Sequence, residues 1–379
     1  EVLFHDVIQA IADHAFVASE YPVIISIEQH CSALQRVRQA QLMSELLGDQ
    51  LLRPPWDEQG QRIDLSQHFD LSPWSARRRI LVKSSIGCCE RCRRPLPVYD
   101  RCVALPTRKL LQKLVEREGF DCDHVGSPCS SPRSASQEAN YHWYVASGTA
   151  AKVNKLEKSI GQEALWAWTT SHLSRVYPEG TRISSGNVDP IPMWLSGVQM
   201  VAMNYQTSDK GLLLNQGLFQ HYNGSCGYVL KPSTGKTSIG KAASKLWLYI
   251  CCGHRLPRPD ERQAAEVSSP MVSVSLHPGG QVSQTSAVNQ DGYHPVFNHS
   301  VVLEISDSPL HILTFEVFDK GKVMASSALN LDAVREGYRW LALQNPQGHS
   351  IPRCGLLVKA QFLEKDQVTR VQSLSPTGC

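Results

Sequence analysis

No apolar run in this chain reaches the roughly 20 residues that a helix needs to cross a bilayer. No basic start followed by an apolar core marks a secretory signal either. A soluble, cytoplasmic protein is the expectation. Charge of one sign is scarce: 38 Lys and Arg against 35 Asp and Glu leave a net +3. That balance gives no ground for a nucleic-acid partner, and an anionic ligand would have to be met by a local patch. The twelve cysteines lie in apolar runs or in one irregular region, without the regular framework of a small secreted domain, so reduced thiols are expected. No internal repeat is evident. With 379 residues, 42% of them hydrophobic and 19% charged, the chain has material for two or three globular domains.

What is present opens on a helix. Apolar residues recur at helical spacing through Val7, Ile8, Ile11, Ala15 and Phe16. The run Tyr21-Pro22-Val23-Ile24-Ile25-Ser26-Ile27-Glu28 then reads as a buried parallel strand that delivers one carboxylate to the rim of an α/β barrel. A second helix runs from Ser32, a suitable N-cap, to Leu47, with Gly48 as its stop. Helix, strand, helix is a piece of a βα barrel whose beginning is missing, so a truncated chain is expected. Arg79–Lys83 reads as another short strand ending in a cation.

The stretch 87–137 breaks this pattern with Cys88, Cys89, Cys92, Cys102, Cys122 and Cys129 among arginines and prolines, and reads as an irregular linker with one short helix at Arg108–Glu118. Its one C-x-x-C has no second pair at zinc spacing. Further on come a helix at Lys152–Trp168, a strand carrying Arg175 and Tyr177 closed by Pro178, a polar turn at Ser184–Pro192, and strands at Gln199–Asn204 and Gly227–Lys231. Alternate residues of a strand face one side, so Arg175 and Tyr177 point together. After a Gly/Ser/Lys-rich joint, short alternating strands at Lys245–Cys251, Met271–Leu276, Ser300–Ile305, Leu310–Asp319 and Leu356–Phe362 read as a β-sandwich. The predicted fold is α/β plus all-β: an incomplete, TIM-like βα barrel succeeded by an antiparallel β-sandwich. A carboxylate suited to a cation, with an arginine and a tyrosine suited to a phosphorylated ring, points to phosphate chemistry.

Phe4-x-Asp6-Val7-Ile8-x-Ala10-Ile11 with Tyr21-Pro22-Val23-Ile24-x-Ser26-Ile27-Glu28-x-His30-Cys31-Ser32 resembles the second half of the X box of eukaryotic phosphoinositide-specific phospholipases C. Leu173-Ser174-Arg175-Val176-Tyr177-Pro178, Gln199-Met200-Val201-Ala202-Met203-Asn204 and Asn223-Gly224-x-Cys226-Gly227-Tyr228-Val229-Leu230-Lys231-Pro232 resemble its Y box. The segment C-terminal to Pro232 is similar to the family's C2 domain. The resemblance divides the chain into the C-terminal half of the X box at 1–86, an X/Y linker at 87–137, the Y box at 138–234, a C2-like sandwich at 235–365 and a tail at 366–379. It implies calcium-dependent cleavage of phosphatidylinositol phosphates to diacylglycerol and an inositol phosphate in signal transduction, with phosphoinositide lipid at a membrane surface as partner and protein regulators outside this chain. It also implies that Glu28 ligates Ca2+ and that Lys83, Ser147, Arg175 and Tyr177 hold the head group. The family's catalytic histidines and other calcium ligands belong to the part of the X box expected upstream of Glu1. No catalytic residue is therefore assigned, and this chain alone is not expected to turn over substrate.

Departures from the family pattern matter. Ser85 stands where a second lysine is expected, Gly186 interrupts a turn, and Thr181 replaces an aromatic of the barrel rim. These changes support an alternative reading, a catalytically inactive relative that binds phosphoinositides as a scaffold. In the C2-like part, Asp319 remains, while Asp260 is succeeded by Ser268-Ser269-Pro270 where an acid is usual; the sandwich is read as mainly structural. The arginines of the linker are expected to add weak attraction to anionic membrane.

Overall fold

The computed structural model describes residues 2–58, 63, 72–86, 97–109, 144–179, 184–220, 223–231, 243–258 and 268–364. The remainder of the cysteine-rich stretch, including Cys88, Cys89, Cys92, Cys122 and Cys129, lies outside the described residues, as do Thr181, Asp260 and the tail at 366–379. The chain divides into two compact units, one of residues 1–180, 196–202 and 226–228, the other of 181–195, 203–225 and 229–379.

In the first unit six parallel strands lie side by side in chain order: β1 (Val23–Ser26), β2 (Ile80–Ser84), β3 (Val103–Lys109), β4 (Val145–Thr149), β5 (Leu173–Tyr177) and β6 (Met200–Val201). Consecutive parallel neighbours are the arrangement of a βα barrel. Because strand residues alternate between faces, the sheet sorts its apolar residues into two cores. Val23, Ile25, Ile80, Val82 and Val103 pack on one face with Ile8 of helix α1 (Phe4–His14) and with Ala40, Met43 and Leu47 of helix α2 (Ala33–Leu47). Ile24, Leu81, Leu105, Val145, Leu173 and Met200 pack together on the other. Helix α2 begins as its sequence indicates: the Ser32 hydroxyl accepts from Gln35 N and the Gln35 side chain accepts from Ser32 N, a reciprocal capping box.

Five local expectations are corrected. The stretch expected to be irregular contains a four-residue helix, α3 (Pro97–Asp100), and the barrel strand β3. That strand takes in Arg108 and Lys109, the expected start of a helix whose remaining residues lie outside the described ones. Tyr99, Cys102, Val103, Ala104 and Leu105 are buried there, and this short apolar patch was masked by its polar surroundings. The helix expected at Lys152–Trp168 is two, α4 (Ala150–Ile160) and α5 (Gln162–Ser171), split at Gly161, whose φ of +86° is costly for residues with a Cβ. Gly227–Lys231 is no strand: Asn223, Gly224, Ser225 and Gly227 all have positive φ, and the segment runs as a loop. The strand expected at Gln199–Asn204 keeps only Met200 and Val201, because Asn204 N is taken by the Asn187 side chain instead of a ladder partner.

The second unit holds α6 (Pro190–Leu195), α7 (Lys210–Phe219) and eight antiparallel strands: β7 (Ala243–His254), β8 (Met271–His277), β9 (Gln281–Gln284), β10 (Val296–Glu304), β11 (Ile312–Asp319), β12 (Lys322–Asn330), β13 (Gly337–Gln344) and β14 (Ser350–Glu364). Two four-stranded layers, β10-β7-β14-β13 and β12-β11-β8-β9, are joined among the described residues by the pair Ser326 and Gln344. Their inward residues, Leu246, Leu248, Ile250, Val272, Val274, Phe315, Leu356 and Val358 among them, form one core, as a sandwich requires. Helix α7 was not read from the sequence. Two glycines and an apolar composition all round hide its period, and Asp209 caps it by accepting from Leu212 N at 3.1 Å. A Cβ on Gly217 would stand 2.7 Å from Ala328 Cβ and 3.0 Å from Ile312 Cγ2, so glycine lets α7 lie directly on β11 and β12.

Candidate anion-binding site on the parallel sheet

The face of the sheet that carries Ile24, Leu81, Val145 and Leu173 turns polar further along the same strands. Ser26 pairs with Lys83 across β1 and β2, and Ser147 pairs with Arg175 across β4 and β5. Thr107, two residues beyond Leu105, faces the same side from β3. On β1, β2, β4 and β5 period two and parallel register thus set polar residues beyond apolar ones, while on β3 Leu105 stands beside Lys83 and Thr107 beside Val145. In α/β barrels the functional layer lies towards the strand C-termini.

Lys83 is 4% exposed, and its Nζ donates to Ser26 Oγ at 3.3 Å. Burial first, and Arg175 second, bring its pKa down to about 8, while Glu28 pulls it back up. Burial likewise lowers Arg175, against the pull of Tyr177 and Glu28. The Arg175 guanidinium carbon lies 5.5 Å from the Tyr177 ring centroid. One buried and one half-buried cation on one face, with the exposed Glu28 carboxylate acting on both, form a site short of negative charge.

Two hydroxyls on this face add donors. Ser147 Oγ and Thr107 Oγ1 are buried with no hydrogen-bond partner among the described residues. A buried hydroxyl without a partner costs free energy, which a phosphate oxygen would relieve. Ser147 is among the residues that the sequence singled out. Thr107 is not, because β3 was hidden in the cysteine-rich stretch; the short apolar run Val103-Ala104-Leu105 before it was its one signal.

Glu28 lies just beyond the end of β1, its side chain 89% exposed and its Oε1 3.4 Å from His30 Nε2. All the singled-out residues, Glu28, Lys83, Ser147, Arg175 and Tyr177, therefore sit on the first unit's sheet or at its edge. His172 is structural: its ring stacks on Trp168 at 4.4 Å and its Nδ1 lies 3.0 Å from Trp168 O. Ser85, at the place of the family's second lysine, is exposed just past β2. Glu28 offers hard oxygens suited to calcium, but no cluster of three His, Cys, Asp or Glu occurs among the described residues, so calcium's six to eight oxygens are not assembled by them. In the sandwich, Asp319 is 2% exposed and its Oδ1 accepts from Ser269 N at 3.3 Å.

Comparison with known proteins gives this geometry its context. Residues 1–86 match the family described as phosphatidylinositol-specific phospholipase C, X domain, residues 125–234 match the Y domain of that family, and residues 244–338 match the C2 domain. The 1-phosphatidylinositol 4,5-bisphosphate phosphodiesterase delta-3-A of Danio rerio is 30% identical over 402 residues, covering 96% of this chain and 50% of that protein. The delta-1 enzyme of Homo sapiens is 29% identical over 404 residues, covering 95% and 52%. The crystal structure of L. pealei PLC21 superposes with a TM-score of 0.73 at 24% identity, covering 98% of this chain and 50% of that one, a likeness of fold. The chain spans about half the length of the curated relatives it matches. On the X, Y and C2 matches together, the chain belongs to the phosphatidylinositol-specific phospholipase C family.

Proposed function

We propose that this chain carries the head-group-binding part of a phosphoinositide phospholipase C, which cleaves phosphatidylinositol phosphates to diacylglycerol and an inositol phosphate. The observation that supports it is the buried Lys83 and the half-buried Arg175 on one face of the parallel sheet, with Tyr177 and two hydroxyls that lack partners among the described residues. Arginine presents a planar fork that binds phosphate oxygens in pairs, and a buried lysine gains from an anion what it loses in hydration. The Tyr177 ring offers a flat surface to the inositol. Ser147 and Thr107 would donate to ring phosphates, and Glu28 would give its carboxylate to Ca2+, a Lewis acid that, when bound, stabilises charge on the phosphoryl group. The lipid would be met at the bilayer surface, where its head group is exposed; no described helix is long and apolar enough to cross a membrane.

Vesicles containing phosphatidylinositol 4,5-bisphosphate test the reading. Binding should weaken at least tenfold in Arg175→Ala and Lys83→Met; equal affinity in all three proteins would overturn it. Hydrolysis by the full-length protein separates the enzyme from a scaffold, for which head-group binding without diacylglycerol release is the expected result.

A further inference from the structure

Glu28 is 89% exposed, so burial does not fix its direction; its backbone must. The residues on either side are held by a buried relay. The Gln29 side chain donates from Nε2 to the Tyr99 hydroxyl, Tyr99 donates to Ser84 Oγ at 3.0 Å, and Ser84 donates to Ile27 O at 2.9 Å. Ile27 N donates to Lys83 O at 2.8 Å, and Gln29 Nε2 also donates to Gln39 Oε1 of α2 at 2.9 Å. The relay begins at residue 29 and ends at residue 27, with Glu28 between.

Tyr99 is 1% exposed and Ser84 is 1% exposed, and every donor in the relay points the same way, an arrangement in which each bond polarises the next. Beyond Gln29, the Arg36 side chain donates from Nε to Cys31 O at 3.2 Å and the Ser32 capping box closes the loop. The residues that hold Glu28 thus come from three elements: Ser84 from β2, Tyr99 from α3 and Gln39 from α2.

We propose that Tyr99 and Ser84 are positioning residues: their hydroxyls hold the 27–29 backbone so that the Glu28 carboxylate is presented beside Lys83 and Arg175. This rests on the reading of that group as the head-group and cation site. Its physical basis is preorganisation, since an exposed carboxylate on a loose loop would have to be ordered at the moment of binding. The short helix carrying Tyr99 lies between the X and Y matches, so a residue of the join takes part in the relay.

The test uses Tyr99→Phe, Ser84→Ala and Glu28→Gln, singly and with each positioning variant combined with Glu28→Gln. Hydrogen exchange of the 27–31 amides should speed about tenfold in Tyr99→Phe and in Ser84→Ala, while amides of β2 and α2 stay protected. Affinity for inositol 1,4,5-trisphosphate at fixed calcium should fall severalfold in each, and that fall should vanish in the Glu28→Gln background, the signature of action through one group. Unchanged exchange at 27–31 in both variants, or losses that add to that of Glu28→Gln, would overturn the proposal. Should Glu28→Gln itself leave affinity unchanged, the role of Glu28 in the head-group site fails, while exchange at 27–31 still decides whether Tyr99 and Ser84 hold the loop.

Discussion

Lys83 and Arg175, 92 positions apart in the sequence, put a buried and a half-buried cation on one face of the parallel sheet, and burial, then the Arg175 charge, brings the Lys83 pKa to about 8. A group that sheds its proton more readily when folded penalises the fold while it is charged. The penalty is fully present below pH 8 and fades between 8 and the unfolded value of 10.5. Lys83→Met should therefore raise the thermal midpoint at pH 7, and its advantage should shrink as pH climbs through that window. Differential scanning calorimetry at several pH values reads this directly.

The same titration governs the ligand. A bound phosphate favours the charged ammonium, and phosphate monoesters, with a second pKa of about 6, gain little further charge as pH rises above 7. Affinity for inositol 1,4,5-trisphosphate should then fall as pH rises from 7 to 9 in the native chain and stay level in Lys83→Met. A parallel decline in both proteins would place the titrating group elsewhere.

Arg175→Lys keeps the charge and loses the fork. Charge-assisted hydrogen bonds are worth ~1.5–3 kcal/mol, so head-group affinity should drop by about one to two decades, with little change in stability. Isothermal titration of the variant against the native chain measures it.

Ser32→Ala removes one half of the α2 capping box. A loss of ~0.5–2 kcal/mol is expected, read as a shift of the urea midpoint without a change of slope.

Gly217→Ala tests the close approach of α7 to β11 and β12. The added methyl would meet Ala328 at 2.7 Å, backed by a strand that cannot yield, so overpacking should outweigh the gain in helix propensity and destabilise the second unit by ~1–3 kcal/mol. Unfolding monitored through the buried Trp247 would show it; an unchanged midpoint would mean that helix and sheet move apart freely.

Much was legible from local signals. The α2 boundaries come from a serine cap and a glycine stop, β1 and β2 from short apolar runs that end where side chains turn polar, and β5 from Arg175 and Tyr177 on alternate positions closed by Pro178. The sandwich was readable from alternation, although β9, β12 and β13 were missed. In β12 the polar and small residues of Lys322–Asn330 blur a period of two. Failures occurred where context overrode composition: Gly161 divided a helix by its backbone angle, positive-φ residues dissolved an expected strand at 227–231, and β3 was overlooked inside a cysteine-rich stretch.

The sequence by itself determined which chemistry this protein can hold: a carboxylate after one strand, a lysine on another, an arginine and a tyrosine two apart on a third. Alternation and residue type are local properties, and local properties survive in a string of letters. Only the tertiary structure decided that Lys83 and Arg175 share a face, that Thr107 joins them, and that Tyr99 and Ser84 brace the loop bearing Glu28. Those relations depend on register between strands far apart in the chain, which long-range burial sets and no single segment encodes.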